Sequence, residues 1–472
     1  MTSVPLPSKL YAAAVAGSLA FAVLHLLSLP MLMTYDGADY VRLGVGWPRN
    51  FPAEWDFART PLYPLTLRVS FWLLGRQALG AMLPNVVFAF IGTWAIGSAV
   101  RRVHGPRLAA AAIAVLSLFP TLVVYQHSVL TEAGSFMFLG LLVNWITWRP
   151  ADLRRKTGAL VVGIVALFAF RPTSLALVPL AAVFLAFDVR ARAGNVPWRQ
   201  KARVLVPHLL AVGVVTALLP TAWQAASGGL ARDYQGQQIM YGLLKQVVFP
   251  PDDPLMAPVR EAYLAAIADA TVGGWLDNGG LRRGPHVEIY RSFESHEDPR
   301  AVLIHAIAAY PGRYVAGVAR ASLLNVGGST INSENADYFR GVVLEAHTGS
   351  KLMIAPGQLA AELEAALRQP SGKSMVGGLL EALDGPFRVL LWFGAAATLL
   401  GLGLGLFYRR SGLVAFSAVP VYWSVVHSLT LTSSDRLVVP SFALFVVNAV
   451  VLPGLFSRAR RHLAGSGAPP LQ

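Results

Sequence analysis

Asp36 and Asp39 directly follow the first long apolar run of the chain. An ionisable side chain beside such a run is costly, so its presence points to a function. A carboxylate there could take a proton from a hydroxyl or an amine. We therefore interpret Asp36 as the candidate general base and Asp39 as the alternative. A solvated acid at a helix end is the competing explanation for both.

Glu132 lies about five residues into another apolar run, and Arg171 and Arg436 border further runs. Glu132, together with Thr131, could hold a metal ion or an acceptor substrate, and the alternative is an interfacial acid that faces water. Arg171 separates two short runs and Arg436 precedes the last run. Because a guanidinium donates paired hydrogen bonds to phosphate, both arginines are candidates for phosphate binding. Interfacial anchoring is the alternative, for Arg436 through Asp435.

Arg59 lies in the segment between the first two long runs and could contact a sugar or a phosphate. An ion pair with Glu54 or Asp56 would explain this arginine equally well. Metal binding stays open: His286 and His296 lie near acids but lack a further ligand at fixed spacing. With no cysteine, the chain has no disulfide, no thiolate zinc site and no cysteine nucleophile.

The elements that must position these residues are apolar helices. The 472 residues are 55% apolar and 14% charged, whereas an ordinary soluble domain has roughly 45–50% apolar and roughly 25% charged residues. This composition excludes a disordered chain and disfavours a soluble enzyme. A membrane span needs about 20 apolar residues, and eight runs of that kind occur, at 11–33, 78–100, 108–126, 128–148, 204–223, 388–408, 413–431 and 437–456.

Two shorter runs, 157–170 and 174–187, flank Arg171 and are too short to be comfortable spans alone. Taken as a tight pair that meets at Arg171, they bring the total to ten. The sequence thus predicts an all-α polytopic membrane protein with about ten transmembrane helices. Interfacial helices are expected in the first outer loop, where 62–74 is apolar but short. A mixed, mainly helical extracytoplasmic insert is also expected.

Charge supports this topology, because basic residues collect on cytoplasmic loops. The net charge is +14, and the basic excess lies in alternate short loops that we assign to the inside. The insert is net acidic. No basic face is therefore left over for nucleic acid. Both termini are predicted to be cytoplasmic in a bacterial inner (plasma) membrane, with the first span an uncleaved anchor.

The apolar runs and the loop charges divide the chain into three parts. Residues 1–223 form an N-terminal transmembrane module of seven spans that includes the first outer loop, 34–77. Residues 224–387 form the extracytoplasmic insert, and 388–472 form a C-terminal module of three spans with a cytoplasmic tail. Within the insert, helices are predicted at 261–270 and 358–368. Two more are predicted within 299–324, broken at Tyr310-Pro311-Gly312, with the second on the membrane surface.

Five short motifs occur in a fixed order on one predicted side of the membrane: Tyr35-Asp36-Gly37-Ala38-Asp39-Tyr40, Arg59-Thr60-Pro61-Leu62-Tyr63-Pro64, Leu130-Thr131-Glu132, Arg171-Pro172-Thr173 and Asp435-Arg436-Leu437-Val438-Val439-Pro440. Together they resemble the type-C glycosyltransferase superfamily. They resemble especially bacterial relatives of the dolichyl-phosphate-mannose protein mannosyltransferases and the aminoarabinose transferases that modify lipid A. The resemblance covers about residues 10–225 and 385–457. The Asp-Glu pair common in eukaryotic members is lacking.

The resemblance implies an enzyme that moves a sugar from a polyprenyl-phosphate donor to an extracytoplasmic acceptor, which is a glycolipid, a cell-envelope glycan or a protein. Asp36 would deprotonate the acceptor, which attacks with inversion. Arg171 and Arg436 would neutralise the departing phosphate. Arg59, Tyr63 and Glu132 would complete the substrate site. The resemblance implies no certain cofactor and leaves a divalent cation open; the partners are the donor, the acceptor and membrane lipid, with no nucleic acid.

Three other interpretations remain open from the sequence. A lipid or oligosaccharide transporter or flippase would place polar groups near the midplane of several spans, whereas here they lie mostly at the outer ends. A polyprenyl-diphosphate-dependent ligase or polymerase would share the outer arginines. A binding scaffold built around the insert is the third.

Overall fold

The computed structural model describes residues 6–47, 59–148, 150, 152–193, 196–226, 250, 253–254, 299–323, 343, 364, 374–407, 411–429 and 440–451. Within these ranges the regular structure is helical, and residues pair in the manner of strands only at one isolated bridge, between Leu32 and Ser128. The all-α prediction is confirmed for this part of the chain.

Fifteen helices run in the following order through the described ranges: α1 (Leu6–Ser28), α2 (Tyr35–Gly46), α3 (Leu62–Leu74), α4 (Ala78–His104), α5 (Pro106–Ser117), α6 (Pro120–His127), α7 (Glu132–Thr147), α8 (Leu153–Phe170), α9 (Val178–Ala193), α10 (Trp198–Ala226), α11 (Pro299–Ala309), α12 (Pro311–Leu323), α13 (Met375–Phe407), α14 (Ser411–Leu429) and α15 (Pro440–Val451). A 3-10 turn, Pro172–Leu177, joins α8 to α9.

The helix α4 lies at the centre of the N-terminal part and packs against α7, α5, α3 and α1. Small residues permit its closest contact: a Cβ atom added to Gly140 of α7 would lie 2.7 Å from the carbonyl oxygen of Gly92 in α4. Such small-residue contacts let helix backbones approach closely where lipid provides little hydrophobic drive. Farther out, α10 leaves Leu210, Val214 and Leu218 exposed, as expected for a helix that faces lipid.

Five helical stretches are long and apolar enough to cross a membrane: Pro7–Ser28, Ala78–His104, Ser174–Arg192, Trp198–Ala226 and Met375–Leu406. The number rises to seven if two bent pairs each count as one span. One pair joins α5 to α6 at 53°, and the other joins α11 to α12 at 107°. The polytopic membrane class is therefore confirmed, and the count of ten spans stays a prediction.

Several helix ends differ from the expected ones. The first predicted span, 11–33, ends at Ser28 because Pro30 follows, and Leu32 then pairs with Ser128. The fourth, 128–148, begins only at Glu132. The runs beside Arg171 extend into charged residues, so that Ser174–Arg192 is long enough to span by itself. A helix needs its apolar side chains only on the part that lies in lipid, and polar residues continue it outside.

Helices occur where they are predicted at 62–74 and within 299–324, and their placement at the membrane surface stays a prediction. The short apolar stretch predicted to be helical is α3. The predicted break at Tyr310-Pro311-Gly312 is confirmed, since α11 ends at Ala309 and α12 begins at Pro311. The predicted helices at 261–270 and 358–368 lie outside the described residues, apart from Glu364, which is helical.

Candidate functional site

The isolated bridge between Leu32 and Ser128 brings two of the predicted motifs together. The Leu32 amide donates to the His127 carbonyl (2.9 Å), and the Val129 amide donates to the Leu32 carbonyl (3.2 Å). The two segments run parallel. Asp36 follows the bridge by four residues in one segment, and Glu132 follows it by four in the other.

Gly37 permits the start of α2 to lie against the segment before α7. A Cβ atom at this position would lie 2.8 Å from the Val129 carbonyl oxygen. The helix is capped by Thr34, whose side-chain oxygen accepts a hydrogen bond from the Gly37 amide (3.1 Å). Asp36 therefore lies in the first turn of a capped helix, where the helix dipole favours a carboxylate.

Arg59 is held by the two predicted acids. Its guanidinium forms an ion pair with Asp36, and a terminal nitrogen lies 3.7 Å from Asp39 Oδ2. Asp39 also lies 3.7 Å from Arg42. The Asp36 side chain is 28% exposed and that of Asp39 is 40% exposed, so Asp36 is the more enclosed carboxylate. The partners considered for Arg59 from the sequence, Glu54 and Asp56, lie outside the described residues.

Aromatic rings connect this acidic group to the centre of the bundle. The Arg59 guanidinium lies 5.1 Å from the centroid of the Tyr40 ring, and Tyr40 meets Tyr63 edge to face at 4.9 Å. Tyr63 in turn meets Phe170 at 5.5 Å. Burial raises the pKa of the fully buried Tyr63 hydroxyl well above its ordinary value, and the neighbouring Asn85 side chain lowers it to a smaller degree. Tyr63 therefore stays neutral and can donate a hydrogen bond.

Arg171 and Glu132 form the second charged group of the site. Arg171 caps the carboxyl end of α8, and its Nη1 atom lies 3.6 Å from Glu132 Oε1. The same nitrogen donates to the Ser135 hydroxyl (3.4 Å). The Glu132 side chain is wholly buried, whereas that of Arg171 is 13% exposed. A buried carboxylate needs such a cation, because an unpaired buried charge costs several kcal/mol.

Six of the seven predicted site residues thus belong to one contact chain. It runs from Asp36 and Asp39 through Arg59 and the Tyr40 and Tyr63 rings to Phe170, and the next residue, Arg171, meets Glu132. Arg436 lies outside the described residues. Within the described ranges no three His, Asp or Glu side chains lie close enough to hold a metal ion.

Sequence reasoning missed the connecting residues. Tyr40 belongs to the first motif, so its position in the sequence could have identified it as a candidate site residue. Phe170, Asn85 and Ser135 are a common apolar residue and two small polar residues inside helices, and their types carry no such signal. Their importance follows from contacts between helices that are far apart in sequence.

The opposite ends of the same helices are basic. Arg102, near the end of α4, donates hydrogen bonds to Asn144 and Thr147 near the end of α7. Lys156 is buried and forms an ion pair with Asp188 of α9. Fold and site together define a polytopic helical membrane protein in which Asp36, Asp39 and Glu132 lie at one end of the bundle and Arg102 and Lys156 lie at the other.

No protein-family model matches the sequence, and no curated protein matches it. Among solved structures, the chain is similar to ArnT from Cupriavidus metallidurans bound to undecaprenyl phosphate, with 14% identity and a TM-score of 0.38 over 97% of this chain and 81% of that one. It is similar also to the apo state of ArnT from Cupriavidus metallidurans, with 15% identity and a TM-score of 0.38 over 97% and 80%.

Proposed function

We propose that this protein is an integral membrane glycosyltransferase that moves a sugar from a polyprenyl-phosphate donor to an extracytoplasmic acceptor. The observation that carries the proposal is the series of contacts from Asp36 through Arg59, Tyr40 and Tyr63 to Phe170, which directly precedes Arg171 in the chain. Sugar transfer needs a base for the acceptor and a cation for the departing phosphate around one substrate. Contacts that connect the candidate base to the residue before the candidate cation support this requirement.

Arg171 is the proposed partner of the donor phosphate. A guanidinium has five N–H donors, and the hydrogen bond to Ser135 uses one of them. Negative charge builds on the phosphate as the bond between the sugar C1 atom and the phosphate oxygen breaks, and a preplaced cation stabilises that charge. Arg436 is proposed to join Arg171 from the last motif.

Asp36 is the proposed base. It would accept the proton of the acceptor hydroxyl or amine while the freed lone pair attacks C1 from the face opposite the phosphate, which inverts the anomeric centre. The polyprenyl phosphate leaves with the electron pair of the broken bond. Because Arg59 forms an ion pair with Asp36, the acceptor would have to displace Arg59 from this carboxylate, and Arg59 would then contact the sugar or its phosphate.

The remaining parts of the proposal concern the surroundings of the site. The prenyl tail would lie among the spans, Tyr63 and Glu132 would shape the sugar pocket, and the acceptor would be a glycolipid, a cell-envelope glycan or a protein. The cellular setting is a bacterial inner membrane with both termini cytoplasmic.

The test is release of free polyprenyl phosphate by the purified protein from a panel of polyprenyl-monophosphate sugars, with and without a chelator of divalent cations. We expect turnover with at least one donor. Asp36→Asn should lower kcat by on the order of 10²–10⁴-fold, the usual contribution of a general base.

Asp39→Asn is the matched control, since it removes the neighbouring carboxylate of the same helix. A larger loss in this variant than in Asp36→Asn would transfer the role of base to Asp39. No release from any monophosphate donor would refute the proposal and favour a transporter or a scaffold. Release of polyprenyl diphosphate in a parallel panel of polyprenyl-diphosphate sugars, with none from the monophosphates, would favour a ligase or polymerase.

A further inference from the structure

Two buried histidines lie next to the bridge between Leu32 and Ser128. This bridge joins the segment that leads to Asp36 to the segment that leads to Glu132. His25 is near the end of α1 and His127 is the last residue of α6, and the two are 2% and 0% exposed. The Nδ1 atom of His25 lies 3.0 Å from the Nε2 atom of His127, and the ring centroids are 5.2 Å apart. A direct hydrogen bond therefore ties the end of α1 to the end of α6.

The direction of this hydrogen bond follows from its neighbour. The Nδ1 atom of His127 lies 3.1 Å from the Pro30 carbonyl oxygen, which can only accept, so this nitrogen carries the proton. In a neutral imidazole the other nitrogen is then an acceptor. His127 Nε2 must consequently accept from His25 Nδ1, which gives a directed chain from His25 through His127 to Pro30.

Each of the two segments that meet at the bridge accepts a hydrogen bond from a buried polar side chain. The segment with Leu32 is held through Pro30 by His127, and the other is held by Asn85 of α4, whose side-chain amide donates to the Ser128 carbonyl (2.5 Å). His127 and Asn85 are both 0% exposed. Buried hydrogen bonds are directional, so they specify one alignment of the segments where apolar packing alone would tolerate several.

We infer that His25 and His127 are positioning residues for the charged site. Their hydrogen-bonded chain sets the register of Leu32 against Ser128, and that register sets where α2 and α7 begin. Asp36 and Glu132 follow the bridge by the same number of residues, so a slip between the segments would move one acid relative to the other. The expected effect on sugar transfer rests on the proposed function, whereas the expected effect on the Leu32–Ser128 register rests on these contacts alone.

The first test compares His25→Asn with His25→Leu. Asparagine keeps an N–H donor close to the place of Nδ1, and leucine has a similar size without any donor. We expect His25→Leu to lower sugar transfer by on the order of 10²-fold, as a displacement of about 1 Å in a reacting site can do. His25→Asn should restore most of that loss. Equal losses in the two variants would show that the hydrogen bond is not what matters.

The second test does not depend on activity. Because the chain has no cysteine, Leu32→Cys with Ser128→Cys creates one defined thiol pair. Facing residues of a bridge lie within the Cα separation of about 4.4–6.8 Å that a disulfide needs. Both positions are buried, so a small membrane-permeant oxidant is used. The pair should cross-link in the parent and with His25→Asn, and more slowly with His25→Leu. Once formed, the disulfide should restore transfer to the His25→Leu protein.

Cross-linking in the His25→Leu protein as fast as in the parent would overturn the inference whatever the activity. If no preparation transferred sugar, the proposed function would fail, and the oxidation rates would still decide this inference. Should His25→Leu fail to fold, His25→Gln replaces it in the comparison, since glutamine places its amide near the other ring nitrogen and leaves His127 without its donor.

Discussion

Arg171 forms an ion pair with a buried acid and is also the proposed ligand of the donor phosphate. Glu132 is wholly enclosed and lies 3.6 Å from the guanidinium, so the arginine is part of the fold even without substrate. A bound phosphate would compete with the carboxylate for the same cation. The effects of changing Arg171 must therefore be divided between stability and donor binding.

We expect Arg171→Ala to weaken donor use by about 2–4 kcal/mol, the usual cost of losing one partner of a desolvated charge pair. Arg171→Lys keeps the charge but loses the planar, paired donors, so it should retain the fold and still raise the donor KM. Steady-state kinetics and thermal unfolding in detergent measure the two effects separately.

A matched variant, Arg171→Ala with Glu132→Gln, removes the buried carboxylate charge along with its cation. Its thermal stability should exceed that of Arg171→Ala, whereas its donor KM should stay high. Unchanged donor kinetics in Arg171→Ala would remove this residue from the phosphate site.

At the scale of elements, the contact between α7 and α8 places Arg171. Phe170 packs among Tyr63, Phe88 and Phe138, with ring centroids 5.4–5.5 Å apart. Its ring lies against Gly134 of α7, and a Cβ atom there would overlap the ring. Because Arg171 is the next residue, the packed Phe170 ring fixes the position of the backbone from which the Arg171 side chain extends.

Gly134→Ala should therefore displace the Phe170 ring, lower stability by about 1–3 kcal/mol, as overpacking does, and raise the donor KM. Gly158→Ala and Gly163→Ala are controls on α8, because a Cβ atom at either position meets nothing within 4 Å. Thermal unfolding and donor kinetics measure the outcome. Loss of function in the controls equal to that in Gly134→Ala would show that the ring contact is not responsible.

At the scale of the molecule, the two ends of the bundle differ in chemistry. The acids and aromatic rings of the site lie at the end where α4 and α7 begin, and Arg102 and Lys156 lie at the other. Basic residues favour the cytoplasmic side. The distribution of basic residues over the described helices is therefore the one expected if the site faces the exterior. The orientation in the membrane is a prediction.

Single cysteines test this orientation, because the chain has none of its own. Arg76 and Arg107 are exposed residues just beyond the two ends of α4. A membrane-impermeant maleimide should label Arg76→Cys in intact spheroplasts and Arg107→Cys only after permeabilisation. The reverse pattern would invert the topology and place the site on the cytoplasmic side.

The sequence alone determined the features that depend on neighbouring residues. The membrane class, the helix at α3 and the break before Pro311 follow from apolar runs and from proline, whose effects reach only a few residues. The candidate acids and Arg171 stood out because charge beside an apolar run is costly. These signals are local and can be read without knowing what packs against them.

The tertiary structure decided which of those residues meet. The bridge between Leu32 and Ser128, the ion pair of Arg59 with Asp36 and the hydrogen bond of His25 with His127 each join residues distant in sequence. No periodicity encodes such pairs, because hydrogen bonds and ion pairs depend on distances that only the packed helices set. For the same reason Phe170, an ordinary core residue by type, became the link between the two charged groups of the site.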